Sequence, residues 1–175
     1  MSWYAERVWF DSRRPHVQRR LRPSLATYIR EGSPLNLLTV PLVYSLVLPI
    51  VLLDVWVTAY QRVCFPVYGI PRVPRARYLV VDRHELPYLN AIEKVHCALC
   101  TYANGVIAYA REVAARTEQY WCPIKHASAI PAPHARYHLF VDYGDAEGYR
   151  TGLQAIRGTL RTDPTPCPPA GQKRR

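Results

Sequence analysis

The chain has 175 residues, about one domain's worth, with 23 Lys and Arg against 13 Asp and Glu for a formal charge of +10. Apolar residues make up 49% of it. That excludes wholesale disorder, and the lack of an internal period excludes collagen-like and solenoid architectures. Nucleic-acid binders gather charge on one element, whereas here basic segments flank an apolar stretch, which points to anionic lipid heads and away from nucleic acid.

Residues 1–34 form a basic N-terminal arm. Seven Arg face Glu6, Asp11 and Glu31, a balance of +4, and Trp3, Tyr4, Trp9 and Phe10 are interleaved with them. Aromatics mixed with Arg suit an amphipathic surface helix lying among headgroups.

Residues 35–60 are the membrane segment. Positions 35–53 read LNLLTVPLVYSLVLPIVLL, nineteen residues without a charge, which is long enough for a transmembrane helix. Trp56 and Tyr60 fall where an interfacial aromatic belt would lie. Pro41 and Pro49 each remove a backbone donor, so the segment is read either as a single span or as a kinked, re-entrant anchor. Ser45 stands near the carbonyls that Pro49 frees. Residues 60–90 carry five Arg against Asp82 and Glu85, so basic flanks of +4 and +3 set no orientation. Equal basic flanks fit a re-entrant anchor with both ends on the cytoplasmic face of a bacterial inner membrane. Asp54, closing the apolar run, is a functional candidate because a charge near a membrane is costly, but it reads more simply as pairing with Arg62 or capping a turn.

Residues 61–86 read as a proline-rich connector. Cys64–Pro71 is expected to be a surface loop, and Tyr78–Asp82 a short extended segment. Residues 87–162 form a cytoplasmic helical module. Pro87 suits the first position of a helix that carries Leu89, Ile92, Val95, His96 and Leu99 on one face. Asn104-Gly105 reads as its stop. A second helix to about residue 120 follows, carrying Val106, Ala110, Val113, Thr117 and Tyr120, with Glu112 and Arg116 as a surface pair. A last helix is expected over 146–160, capped by Asp145. Residues 163–175 (DPTPCPPAGQKRR) form a disordered tail. The fold class is therefore mainly α: one proline-containing membrane segment plus a small helical module.

The chemistry-bearing motif is Cys97-x2-Cys100, then 21 residues, then Cys122-x3-His126. Three thiolates and an imidazole suit tetrahedral Zn²⁺, and a thiolate-rich set also accepts Fe. Geometry objects. In a tight hairpin about residue 105, Cys122 lies roughly 20 Å farther from the turn than Cys100. The ligands meet only if the second helix ends near Arg116 and the chain doubles back. Mirroring the hairpin would set Glu93 opposite Arg116 as an ion pair, and a single Glu93-x-x-His96 is half of a di-iron pattern.

A different class of reading is a thiol-redox or electron-transfer enzyme cycling Cys97 and Cys100. The pair sits late in its helix, where the dipole opposes a thiolate. A third is a structural or assembly protein with buried, reduced cysteines. An odd count of five Cys argues against a disulfide framework. His134 and His138 are possible extra ligands but read more simply as surface histidines. No nucleotide-binding or hydrolase motif is present, so whether the chain is an enzyme is left open by its sequence. Besides the bilayer, the expected partners are a second protein or another copy of the chain.

The stretch LNAIEKVHCALCTYANGVIAYAREVAARTEQYWCPIKHA, with Asp54, Cys64–Ile70 and Asp142–Ala146, resembles an uncharacterised family of small bacterial membrane-associated proteins. The likeness spans roughly residues 37–150 and centres on a CxxC…WCPxKH motif. It implies that the Cys and His positions act as one module, and it brings no activity.

Overall fold

A computed structural model describes residues 18–31 and 33–162. The aromatic-rich start of the arm and the C-terminal tail lie outside the described residues. Among the described residues five helices carry the fold: α1 (Leu25–Glu31), α2 (Pro34–Ser45), α3 (Val47–Tyr68), α4 (Ala91–Trp121) and α5 (Ala146–Thr162). Among the described residues there is no strand, only an isolated bridge between Ile124 and Val141. The mainly helical class is thus observed.

The apolar run divides at Leu46 into α2 and α3. Pro41 lies inside α2, and Ser45 Oγ donates to the Leu42 carbonyl at 2.7 Å. Pro49 falls in the first turn of α3, where its missing N–H has no helical acceptor to lose. Taken together, Leu38–Tyr68 is long and apolar enough to cross a membrane, and only 6% of its most apolar window is buried. The core helix of a soluble protein would be mostly buried.

α3 continues through the segment expected to be a loop. It carries Pro66 inside its last turn and ends at Gly69, whose φ is +68°. The Gly69 N–H donates to the Pro66 carbonyl at 3.2 Å and the Ile70 N–H to the Phe65 carbonyl at 2.9 Å. This is a Schellman ending, with glycine at the left-handed position and Ile70 meeting Phe65 in the core. The extended segment expected at Tyr78–Asp82 is not a strand. Residues 79–82 join no ladder, because the run has no partner strand, and they lie between single 3₁₀ turns at Arg75–Arg77 and Arg83–Glu85.

The larger correction concerns α4, which runs unbroken through Asn104-Gly105. It starts at Ala91 and not at Pro87. Asn90 and Glu93 cap it reciprocally: the Glu93 N–H donates to Asn90 Oδ1 at 2.9 Å, and the Asn90 N–H to Glu93 Oε2 at 2.8 Å. Inside the helix, Asn104 Nδ2 turns back to the Cys100 carbonyl at 2.8 Å. A glycine costs a helix about 1 kcal/mol. Fully burying Val106, Tyr109 or Val113 returns about 1.5–3 kcal/mol each, so the helix continues. α5 matches its expected range, and Asp145 Oδ1 accepts the Gly148 N–H at 2.8 Å as its cap.

The chain divides into two units. One comprises residues up to Pro49 together with Leu79–Gly105. The other comprises Ile50–Tyr78 and Val106–Arg175 and holds the core: Phe65, Ile70, Val73, Tyr109, Val113 and Leu160.

Candidate functional site

Cys97 is half-buried and Cys100 exposed, both on α4; Cys122 directly follows that helix and is exposed. All three are free thiols, as is Cys64. With no turn at residue 105, about six helical turns of sequence separate Cys100 from Cys122. Nor does the second half of α4 end early at Arg116, as a four-ligand site requires. His126 is exposed in the loop after α4, where its ring stacks on Tyr137 at 6.1 Å and its backbone N–H donates to the Tyr137 hydroxyl at 2.6 Å. Among the described residues, no three His, Cys, Asp or Glu side chains are grouped as a metal ion needs. Cys97, Cys100, Cys122 and His126 are therefore not assembled around one centre.

The remaining candidates are accounted for locally. Glu93 is spent on the α4 cap, so neither the Glu93–Arg116 pair nor half a di-iron site forms around it. His96 packs its ring against Tyr44 at 5.7 Å. Partial desolvation of its sulfur, then the Glu118 carboxylate, pushes the Cys122 thiol above its ordinary pKa, so it is a poorer thiolate than a free cysteine. His134 Nε2 meets Glu118 Oε2 at 3.0 Å, and its Nδ1 accepts the Arg136 N–H at 3.2 Å. His138 Nδ1 bonds the Ala135 carbonyl at 2.7 Å.

The densest polar constellation is one the sequence reading passed over. Glu112 and Arg116, read as a surface pair, are buried at 7% and 1% exposure. Glu112 Oε1 accepts Arg116 Nε at 2.9 Å and Arg136 Nε at 3.1 Å. Arg116 Nη1 also holds the Pro71 carbonyl at 2.7 Å, and Arg136 Nη1 holds Gln119 Oε1 at 3.1 Å. Gln119 Nε2 reaches the Ile156 carbonyl and Thr159 of α5 at 3.0 and 2.7 Å. The network thus ties α4 to the connector, the 122–145 loop and α5. Buried charges are tolerated only when paired and hydrogen-bonded in this way. Arg136 carried no signal in sequence, because its partners lie 17 and 24 residues away and it sits in irregular chain.

A second polar group lies on α3. Asp54, 5% exposed, pairs with Arg75 and not with Arg62; Arg75 Nε donates to it at 2.8 Å. Gln61 bridges both backbone groups of Val73, donating to the carbonyl at 3.2 Å and accepting the N–H at 3.0 Å, and it donates to the Tyr109 hydroxyl. These are fully engaged groups of a packed module, with no nucleophile–base pair among them.

Comparison of the chain with known protein families, curated proteins and solved structures gives no match.

Proposed function

We propose that the protein is a membrane-anchored helical module of the structural or assembly class, its cysteines reduced and not ligating a common metal. One observation carries this reading: α3 serves two environments. Leu48, Leu52 and Val55 are 60–77% exposed on it, while Asp54, Gln61 and Phe65 are buried in the second unit's core. Apolar side chains left facing outward beside a packed core mark a surface meant for lipid or a partner. The basic flanks favour anionic headgroups. Free thiols fit the reducing, cytoplasmic face of an inner membrane. The fused polar network serves to hold a rigid platform at that surface for a protein partner or a second copy.

Two measurements test the reading. The protein is expected in the membrane fraction, resistant to alkaline carbonate extraction, and a Cys97→Ser/Cys100→Ser/Cys122→Ser/His126→Ala variant is expected to melt within a few degrees of wild type. Stoichiometric zinc or iron in purified protein, lost in Cys97→Ser/Cys100→Ser, would restore the metal-binding reading and overturn this one. A dithiol–disulfide couple at Cys97 and Cys100 that turns over a substrate would do the same for the redox reading.

A further inference from the structure

We infer that a cavity at the closed end of the second unit is a binding site for a phosphate group. The cavity, of about 110 Å³, lies where α3, α4 and α5 end. Water's share of the liquid is about 30 Å³, so the space holds three or four waters or one tetrahedral oxyanion. Tyr68 and Gly69 wall it from α3, Tyr120 from α4, and Arg157, Gly158 and Arg161 from α5. No acidic residue lines it.

The two arginines are one helical turn apart, so their like charges share a face and repel. Among the described residues, neither is paired with a carboxylate. The other arginines that hold this unit together are: Arg75 on Asp54, and Arg116 and Arg136 on Glu112. Arg157 is held in place, nonetheless. Its Nε donates to the Tyr120 carbonyl at 2.8 Å and its guanidinium lies 4.7 Å from the centroid of the Tyr120 ring, which itself stacks on Tyr68 at 5.1 Å. Arg161 closes over Gly69, its Nη2 3.4 Å from where a Cβ would stand. A held guanidinium beside a second unpaired one is the arrangement that takes a planar, two-pronged grip on phosphate oxygens.

The plainer explanation is that the arginines neutralise helix ends. It does not suffice. Two of the last α3 carbonyls, those of Pro66 and Phe65, are already taken by the Gly69 and Ile70 N–H groups. Three helix C-termini supply roughly half a negative charge each against two full positive ones, leaving about half a charge uncompensated.

The phosphate can belong to a lipid headgroup or to a soluble compound. Tyr68 is 14 residues beyond Asp54 on α3, about 21 Å, whereas the headgroup zone of one leaflet is roughly 5–8 Å deep. For a span that ends at Asp54, the cavity stands in water, and the fitting occupant is a soluble phosphate compound. That choice of source rests on the membrane reading above; the anion site does not.

The test uses full-length protein in phosphatidylcholine nanodiscs, titrated calorimetrically with inorganic phosphate at constant ionic strength. A parallel arm places phosphatidic acid in the discs. Saturable phosphate binding is expected, weakened about tenfold or more in Arg161→Gln. Gly158→Leu should abolish it, because nothing lies within 4 Å of an added Cβ and leucine is a better helix former than glycine, so this variant fills the cavity and keeps the fold. Absence of saturable binding, or binding unchanged in both variants at an unaltered melting temperature, overturns the site. Variant-sensitive heat seen only with phosphatidic acid in the discs overturns the soluble source. Membrane extraction of the same samples reports separately on the anchor.

Discussion

The two units treat their apolar residues differently. The second has a packed core, with Phe65 and Tyr109 fully buried and Val73, Val113 and Leu160 nearly so, although Leu52, Val55, Trp56, Val63 and Val67 on its part of α3 stay 60–77% exposed. In the first, α2 leaves Leu35, Leu38 and Leu42 about 70–77% exposed, and among the described residues the unit's one fully buried side chain is the polar Asn90. The contrast follows from pattern. α4 and α5 are apolar on one stripe and polar elsewhere, so water and core are both satisfied. α2 and the start of α3 are largely apolar, and such a helix needs an apolar surround that the described residues do not supply.

Breaking the polar network should separate the units most sharply. Glu112→Gln leaves two buried guanidiniums without their carboxylate, and a loss of about 3–5 kcal/mol is expected in denaturant melts in detergent. A change below about 1 kcal/mol would mean that the pair is solvated. The complementary insult is a charge on the exposed apolar side. Leu48→Arg should disfavour insertion by about 2.5–3.5 kcal/mol, read as protein shifted to the carbonate-soluble fraction, with the second unit's melt unchanged. If that melt falls equally, Leu48 is packed and the contrast fails.

A smaller effect belongs to the first unit. Asn90→Ala removes one half of the α4 cap and should cost about 1 kcal/mol, seen as faster amide exchange in the first turn of α4. The Asn90 Nδ2 has no partner to lose. Least in energy is the titration of Cys122. Its raised pKa means less thiolate at any given pH, so in a background without the other cysteines iodoacetamide should react with it more slowly than with a peptide thiol near pH 8. The two rates should converge as the pH rises past its pKa. An equal rate at pH 8 would show that neither burial nor Glu118 is felt.

What was legible in sequence was local. The run at 35–53 carries its own composition, and Asp145 with the stripe of Tyr149, Leu153, Ile156 and Leu160 defines α5 within two residues. Asn90-x-x-Glu93 was an unread capping signal in plain view. Misread features were those where a local preference met a non-local force. Asn104-Gly105 stops an isolated helix, yet here it is overruled by the burial that follows it. Pro66 suggests a break, yet it falls near the end of α3, just before the glycine at which that helix closes. The cysteine reading failed to assemble for the same reason, since it needed a fold at residue 105. Arg136 could be recognised only once Glu112 and Gln119 were placed around it.

The wiring of Glu112 also constrains the order in which the molecule is made. Its first partner, Arg116, emerges from the ribosome four residues later, but its second, Arg136, comes only twenty residues after that. Gln119 waits longer still, for Ile156 and Thr159. The nascent chain therefore carries an unfinished ion cluster until Arg136 and then α5 have been made. A transcript cut short before codon 136 would yield an unsealed product, a ready substrate for quality-control proteolysis.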